Sequence, residues 1–240
     1  MKIVAHRGYS GRFPENSLLA FERAIEAGAD LVETDVRMSG DGILVCWHDA
    51  DLKRVAGVDA VIAQTPAAEL MKIALPGGAR VYRLVEVLSL MRARVPLMLD
   101  VKVDDDAAWS GIIEAVDAAR MTDQVVCGVR SAERARALAA AGVGFARLAM
   151  PPKPDMLDAF PGTQMIGARL WEDQIEAAAL ARIGSRGIEV WVTAGFRTQG
   201  EAPGYITAER LEALCRLGVD AVLVNGVEMA GAIAHRYAEE

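Results

Sequence analysis

The sequence predicts a closed (β/α)8 barrel, and three observations lead to it. Nine short β-type runs recur along 240 residues, most are separated by segments of helical spacing, and two runs lie too close together for a parallel crossover. The runs are KIVAH (2–6), LVETDV (31–36), ILVCW (43–47), PLMLDVK (96–102), QVVCGV (124–129), FARLAM (145–150), TQMIGA (163–168), IEVWVT (188–193) and AVLV (221–224). Between them, ENSLLAFERAIEAG, DDAAWSGIIEAVDAAR, SAERARALAAAG and TAERLEALCRLG carry apolar residues at helical spacing; the last three open on Asp, Ser or Thr caps and several end at Gly. Near-continuous apolar strands joined by helices indicate a parallel sheet covered by helices, either a closed barrel or an open doubly wound sheet.

Strand number separates these two. ILVCW follows LVETDV by six residues, whereas a parallel crossover needs about a dozen or more, so these runs form an antiparallel hairpin. Eight runs remain for the parallel sheet, which favours the barrel. Residues 51–83 break the rhythm: TPAAEL reads as a short capped helix and PGG as a turn, the mark of a small insertion after the His48-Asp49 pair. No repeat, low-complexity tract or linker interrupts the rest, so residues 1–240 are expected to form one domain.

Composition narrows the function. Hydrophobic residues make up 52%, enough for a large core, and the net charge of −7 argues against a general nucleic-acid binder, which needs a basic stripe to neutralise phosphates. No run approaches the roughly 18 apolar residues that a membrane span requires. The N-terminal MKIVAHRG lacks the long apolar stretch of a signal peptide, and Cys46, Cys127 and Cys215 are scattered in apolar segments like reduced core thiols. Both features lead us to expect a cytoplasmic protein. Oligomeric state is not readable.

Chemistry-bearing residues gather at strand ends. With Gly40 and Asp41 as a two-residue turn, Ser39 pairs with Gly42, Asp35 falls opposite Cys46 and Glu33 opposite His48, so Glu33, Asp35 and His48 share a face. Taken alone, the two acids also suit a half-exposed strand face. On one buried face they need a cation or a cationic side chain between them. KIVAH ends at His6-Arg7-Gly8 and PLMLDVK carries Asp100 and Lys102; the C-terminal ends of barrel strands are where active sites are built. His6 and His48 can exchange protons near neutral pH, whereas His235, in the last helix, reads as a surface residue. Glu33, Asp35 and Asp100 are hard oxygen donors suited to Mg²⁺ or Ca²⁺, and Arg7 and Lys102 suit an oxyanion such as phosphate. Together they describe phosphoryl-transfer chemistry.

The stretch AHRGYSGRFPENSLLAFERAIEAGADLVETDVRMSGDGILVCWHDADLKR resembles the glycerophosphodiester phosphodiesterase family through His-Arg-Gly, Pro-Glu-Asn, Glu-x-Asp and His-Asp in order. The similarity continues more loosely through RLVEVLSLM, LMLDVK, IEVWV and LGVDAVLV. It implies a barrel that hydrolyses glycerophosphodiesters to glycerol 3-phosphate and an alcohol, by attack of the glycerol 2-hydroxyl and a cyclic phosphate. His6 and His48 would be general acid and base, Glu33, Asp35 and Asp100 would hold one divalent cation, and Arg7 and Lys102 would hold the phosphate. Glu15 and Asn16 would order the loop above the first strand. Trp191 would stack on substrate or serve as a core aromatic. Three departures stand out: Asp100-Val101-Lys102 where the family has Glu-x-Lys, Ala194 where it has Asn, and Asn225 where it has an acid. Two alternatives remain beside this reading. One is a lipid phosphodiesterase of the lysophospholipase D or sphingomyelinase D type, for which the insertion around VDAVIAQTPAAELMKIAL would have to offer an apolar surface. The other is a binding protein that has lost turnover.

Overall fold

Strands and helices alternate along the chain in the computed structural model, which describes residues 1–162 and 165–238. The strands are β1 (Lys2–Ala5), β2 (Leu31–Met38), β3 (Leu44–Cys46), β4 (Tyr82–Arg83), β5 (Leu97–Val101), β6 (Val125–Val129), β7 (Ala146–Ala149), β8 (Met165–Trp171), β9 (Glu189–Thr193) and β10 (Ala221–Val224). Eight of them are parallel neighbours, and β1 pairs with both β10 and β2, which closes the ring. The remaining two, β3 and β4, extend antiparallel from β2 outside the ring. All nine expected runs contain a strand, although Thr163 and Gln164 of TQMIGA lie outside the described residues. Two-residue β4 was not foreseen, because so short a strand shows no alternation.

Helices α1 (Leu18–Glu26), α2 (Lys53–Ala56), α3 (Ala67–Leu70), α4 (Leu84–Met91), α5 (Asp106–Ala118), α6 (Ala132–Ala140), α7 (Ala177–Gly184), α8 (Ala208–Arg216) and α9 (Val227–Ala238) fill the connections. The expected caps form: Asp105, Ser131 and Thr207 each accept from the backbone N–H three residues on, as Ser17 does for α1. Strand alternation then divides the core. Val32, Val36, Leu97, Leu99 and Val101 face the helices, while Val4, Leu31, Met98, Val126, Leu148, Trp191 and Leu223 fill the barrel interior.

The hairpin register differs from expectation by one residue. Val36 pairs with Cys46 and Met38 with Leu44, and Ser39 N donates to Ile43 O at 2.9 Å. The connection is therefore Gly40-Asp41-Gly42, with Gly42 at φ +80° closing a three-residue turn. Since a one-residue slip exchanges the two faces of a strand, Asp35 lies across from Trp47 rather than Cys46, and Glu33 is not opposite His48. Val45 and Trp47 instead pack on the insertion, where Leu52, Ile62, Leu70, Leu75 and Val81 bury one another in a small core. No helix of the described residues is long and apolar enough to cross a membrane.

Candidate active site

The turn after β1 begins the site. His6 N still donates to Val224 O, and then Arg7 at φ +56° and Gly8 at φ +78° swing the chain outward. Only glycine fits at position 8, since a Cβ there would stand 2.7 Å from the Ala20 carbonyl carbon. The bend aims the Arg7 backbone N–H at Glu33 Oε2, 2.8 Å away, and brings its guanidinium 3.1 Å from both Asp35 and Glu15.

Glu33 and Asp35 point into the barrel from β2, and parallel pairing sets Asp100 of β5 beside Asp35. Oxygens of Glu33, Asp35 and Asp100 lie within 4.8 Å of one another, and all three residues are buried. The cluster that the hairpin was expected to form is thus made by two neighbouring barrel strands. Four cationic side chains surround it: Arg7 and Lys102 reach Asp35, while Lys102, Arg130 and Arg169 reach Asp100. Asn16, itself buried, donates to Asp35 Oδ2 at 2.9 Å and accepts from Thr34 Oγ1, which fixes the orientation of that carboxylate.

Electrostatics distinguish the three acids. Burial, with Asp35 and Asp100 close by, pushes the Glu33 carboxyl up to about 8. Burial would raise the other two as well, but Lys102 and Arg7 hold Asp35 below the usual carboxylate range, and Arg169, Lys102 and Arg130 hold Asp100 well below it. Glu33 Oε1 is buried with no hydrogen-bond partner among the described residues. A buried, unsatisfied oxygen beside two further carboxylates fits a hard divalent cation, for which all three residues offer oxygen ligands. Asp100, although one methylene shorter than Glu, belongs to the same group of oxygens.

Both histidines sit above this cluster and line a cavity of about 390 Å³ with Arg7, Glu15, Arg54 and Asn225. His6 Nδ1 stands 2.8 Å from Asn225 Oδ1, and burial, reinforced by Arg7, lowers its pKa to about 4. His48 Nδ1 stands 2.7 Å from Asp49 Oδ1, and burial lowers its pKa too, against the opposing pull of Asp35. Arg54 bridges Asp49 and Glu15, tying the start of the insertion to the loop above β1.

Of the residues expected in the site, His6, Arg7, Glu33, Asp35, His48, Asp100 and Lys102 come together. Trp191 does not: it is 1% exposed, packs in the barrel interior with Val4, Leu31 and Met98, and donates its indole N–H to Glu189 at 2.7 Å. It serves as the core aromatic, because its place on β9 lies below the mouth. Ala194 is buried as well. Arg130 and Arg169 were missed. Arg130 directly follows the run QVVCGV, as Lys102 ends PLMLDVK, and that parallel was readable. Arg169 lies on β8 beyond the expected strand end at 168.

A (β/α)8 barrel with a buried carboxylate cluster, one histidine at the end of β1 and another after the antiparallel β3 defines a class of barrel proteins with a candidate cation centre at the mouth. Residues 6–134, more than half of the chain, match the model of the glycerophosphoryl diester phosphodiesterase family, and the chain belongs to that family. It is 33% identical over 123 residues to a glycerophosphodiester phosphodiesterase of Bacillus altitudinis, covering 48% of this chain and 50% of that protein. An uncharacterized Bacillus subtilis protein, YqiK, is 52% identical over 64 residues, 27% of this chain and 26% of its own length. The chain thus spans a quarter to a half of these curated relatives. Among solved structures, an Oleispira antarctica phosphodiesterase in complex with the product sn-glycerol-3-phosphate superposes with a TM-score of 0.81 at 22% identity, over 100% of this chain and 97% of that one. That likeness is one of fold.

Proposed function

We propose that the protein hydrolyses glycerophosphodiesters to glycerol 3-phosphate and an alcohol, with His6 and His48 as general base and acid and with one divalent cation, Mg²⁺ or Ca²⁺, held by Glu33, Asp35 and Asp100. The observation that carries this reading is the set of three buried carboxylates within 4.8 Å of one another beneath a cavity lined by both histidines. A bound cation supplies charge neutralisation for the phosphate and makes a nearby hydroxyl more acidic.

The protein's own groups account for the proton transfers. Asn225 Nδ2 donates to Pro203 O, so its Oδ1 faces His6 and accepts from Nδ1–H. His6 is then neutral with a free lone pair on Nε2, ready to take the proton of the glycerol 2-hydroxyl as that oxygen attacks phosphorus. His48, whose imidazolium is stabilised by Asp49, gives a proton to the departing alcohol oxygen. With the roles reversed, His48 removes a proton from water, which opens the cyclic phosphate, and His6 returns its proton to the 2-oxygen. Arg7 and Lys102 counter the charge that develops on phosphorus-bound oxygens. The substrate in this reading is a small phosphodiester and not nucleic acid; residues 1–240 act as one barrel unit, and three cysteines without a disulfide suit a reducing, cytoplasmic setting.

A lipid phosphodiesterase would need an apolar surface beside the mouth. The insertion offers little, because Leu52, Ile62, Leu70 and Leu75 are spent in its own core. The decisive experiment incubates chelator-treated protein with glycerophosphocholine, with and without Mg²⁺ or Ca²⁺, and measures glycerol 3-phosphate. Release restored by metal is expected; no release from glycerophosphocholine or from glycerophosphoserine with either metal overturns the reading.

A further inference from the structure

Across the ring from β1 and β2, a second cavity of about 280 Å³ opens at the C-terminal ends of β6, β7 and β8. Arg130, Arg169 and Arg197 line it, together with Trp171, Met150 and Pro151. Two of these arginines also belong to the wall of the acidic cluster, since Arg130 and Arg169 each donate to Asp100. The cavity and the phosphate site therefore share a boundary.

Its charge is not balanced from within. Asp100 is the one carboxylate that the cavity's arginines reach among the described residues, and it is shared with Lys102. Arg197, exposed on a turn after β9, lies 5.9 Å from the Trp171 ring centroid and forms no ion pair among the described residues. Neighbouring acids are committed elsewhere. Glu172 binds Arg210 and Gly195 N, and Asp173 accepts from Thr198 N at 2.8 Å. A guanidinium presents five donors in a fixed fork, suited to carboxylate or phosphate oxygens, and more than one fork converging on a semi-enclosed space favours an anion strongly over a neutral or cationic group.

We propose that this cavity receives an acidic group, a carboxylate or a second phosphate, carried on the alcohol side of the diester, so that the enzyme selects diesters of anionic alcohols. The proposal rests on the phosphodiesterase reading of the adjoining site. With the phosphate between Arg7, Lys102 and the acidic cluster, the glycerol 2-hydroxyl lies at His6 and the leaving oxygen at His48, and the alcohol beyond that oxygen extends towards Arg130, Arg169 and Arg197. A choline or ethanolamine head would set an ammonium against these arginines. A serine carboxylate or a further phosphodiester would be bound by them.

Two substrate pairs that differ by one acidic group test this. Glycerophosphoserine against glycerophosphoethanolamine isolates a carboxylate, and glycerophosphoglycerol carrying a terminal phosphate on its alcohol glycerol, against unmodified glycerophosphoglycerol, isolates a phosphate. The wild type should favour the acidic member of at least one pair by roughly tenfold or more in kcat/KM, the scale of one charge-assisted hydrogen bond. Arg197→Gln, an exposed substitution, should reduce that ratio by about the same factor, chiefly through KM. Ratios near one in the wild type, or an unchanged ratio in Arg197→Gln, overturn the proposal. If no diester is cleaved with either metal, the phosphodiesterase reading fails separately. Calorimetry with both pairs then decides: tighter binding of the acidic member of either pair, lost in Arg197→Gln, supports the anion cavity, and equal binding within both pairs removes it.

Discussion

His6 Nδ1 and Asn225 Oδ1 stand 2.8 Å apart, and the same amide is anchored by its Nδ2 donating to Pro203 O at 2.9 Å. The partner of this buried imidazole is therefore a neutral dipole, at a position where the resemblance calls for an acid. A neutral acceptor holds the tautomer and stabilises the imidazolium only in part, so burial, reinforced by Arg7, still leaves the His6 pKa at about 4. Asn225→Asp adds a negative charge at hydrogen-bond distance, which favours the protonated ring. The acid limb of the kcat/KM profile for glycerophosphocholine should move upward by about one pH unit or more. A limb that stays in place would show that His6 is not the base.

The same burial makes His6 a source of acid sensitivity. Its folded pKa of about 4 lies below the ordinary 6.5, so between those values the unfolded chain binds a proton that the folded one does not. The destabilisation is absent above pH 6.5, grows as pH falls, and is complete below pH 4. Wild type should lose roughly 2 kcal/mol from this group between pH 7 and pH 5. Glu33, with its raised pKa, works in the opposite direction over the same range, so the comparison is with His6→Gln, measured by urea denaturation in chelator at both pH values. Equal losses in the two proteins would show that His6 is accessible to protons in the folded state.

How much of this was legible in the sequence follows from what each feature depends on. The eight parallel strands and the β2–β3 hairpin were readable because apolar runs and their spacing are local properties. So was the gathering of His6, Glu33, Asp35, Asp100 and Lys102, since strand ends of a barrel converge whatever the details; His48 reaches the same cavity from the hairpin outside the ring, in a register other than the expected one. The hairpin register was not, because it turned on whether Gly42 took a left-handed conformation or paired with Ser39, and both suit glycine. Arg169 escaped because its inward direction depends on where β8 ends, and strand ends are set by tertiary pairing with β9. The partner of Glu33 Oε2 is a backbone N–H from a strained turn, a relationship that no side-chain pattern encodes.

The Glu33 carboxyl, pushed up to about 8, is largely protonated at neutral pH without a cation. Glu33→Gln is close to that form in shape and charge, so metal-free stability should change by less than about 1 kcal/mol. Cation binding requires the carboxylate and should be lost. In wild type, Mg²⁺ or Ca²⁺ at about a hundred times its Kd should stabilise by roughly 2.7 kcal/mol and raise Tm by about 5–10 °C. Differential scanning calorimetry in chelator and in metal distinguishes the two proteins. A metal-induced rise that survives in Glu33→Gln would exclude Glu33 as a ligand.

Trp191 separates packing from recognition. Its ring is enclosed by Val4, Leu31, Met98 and Leu223, and its N–H reaches Glu189, which also pairs with Lys2 at 2.7 Å. Trp191→Phe removes volume from a closed interior and one hydrogen bond, while Lys2 continues to satisfy the carboxylate. The loss should be roughly 1–3 kcal/mol in urea denaturation. Because the residue lies beneath the acidic cluster and does not line either cavity at the mouth, KM for glycerophosphocholine should stay within about twofold of wild type. The opposite pattern, a large rise in KM with stability intact, would mean that the indole leaves the barrel interior to meet substrate.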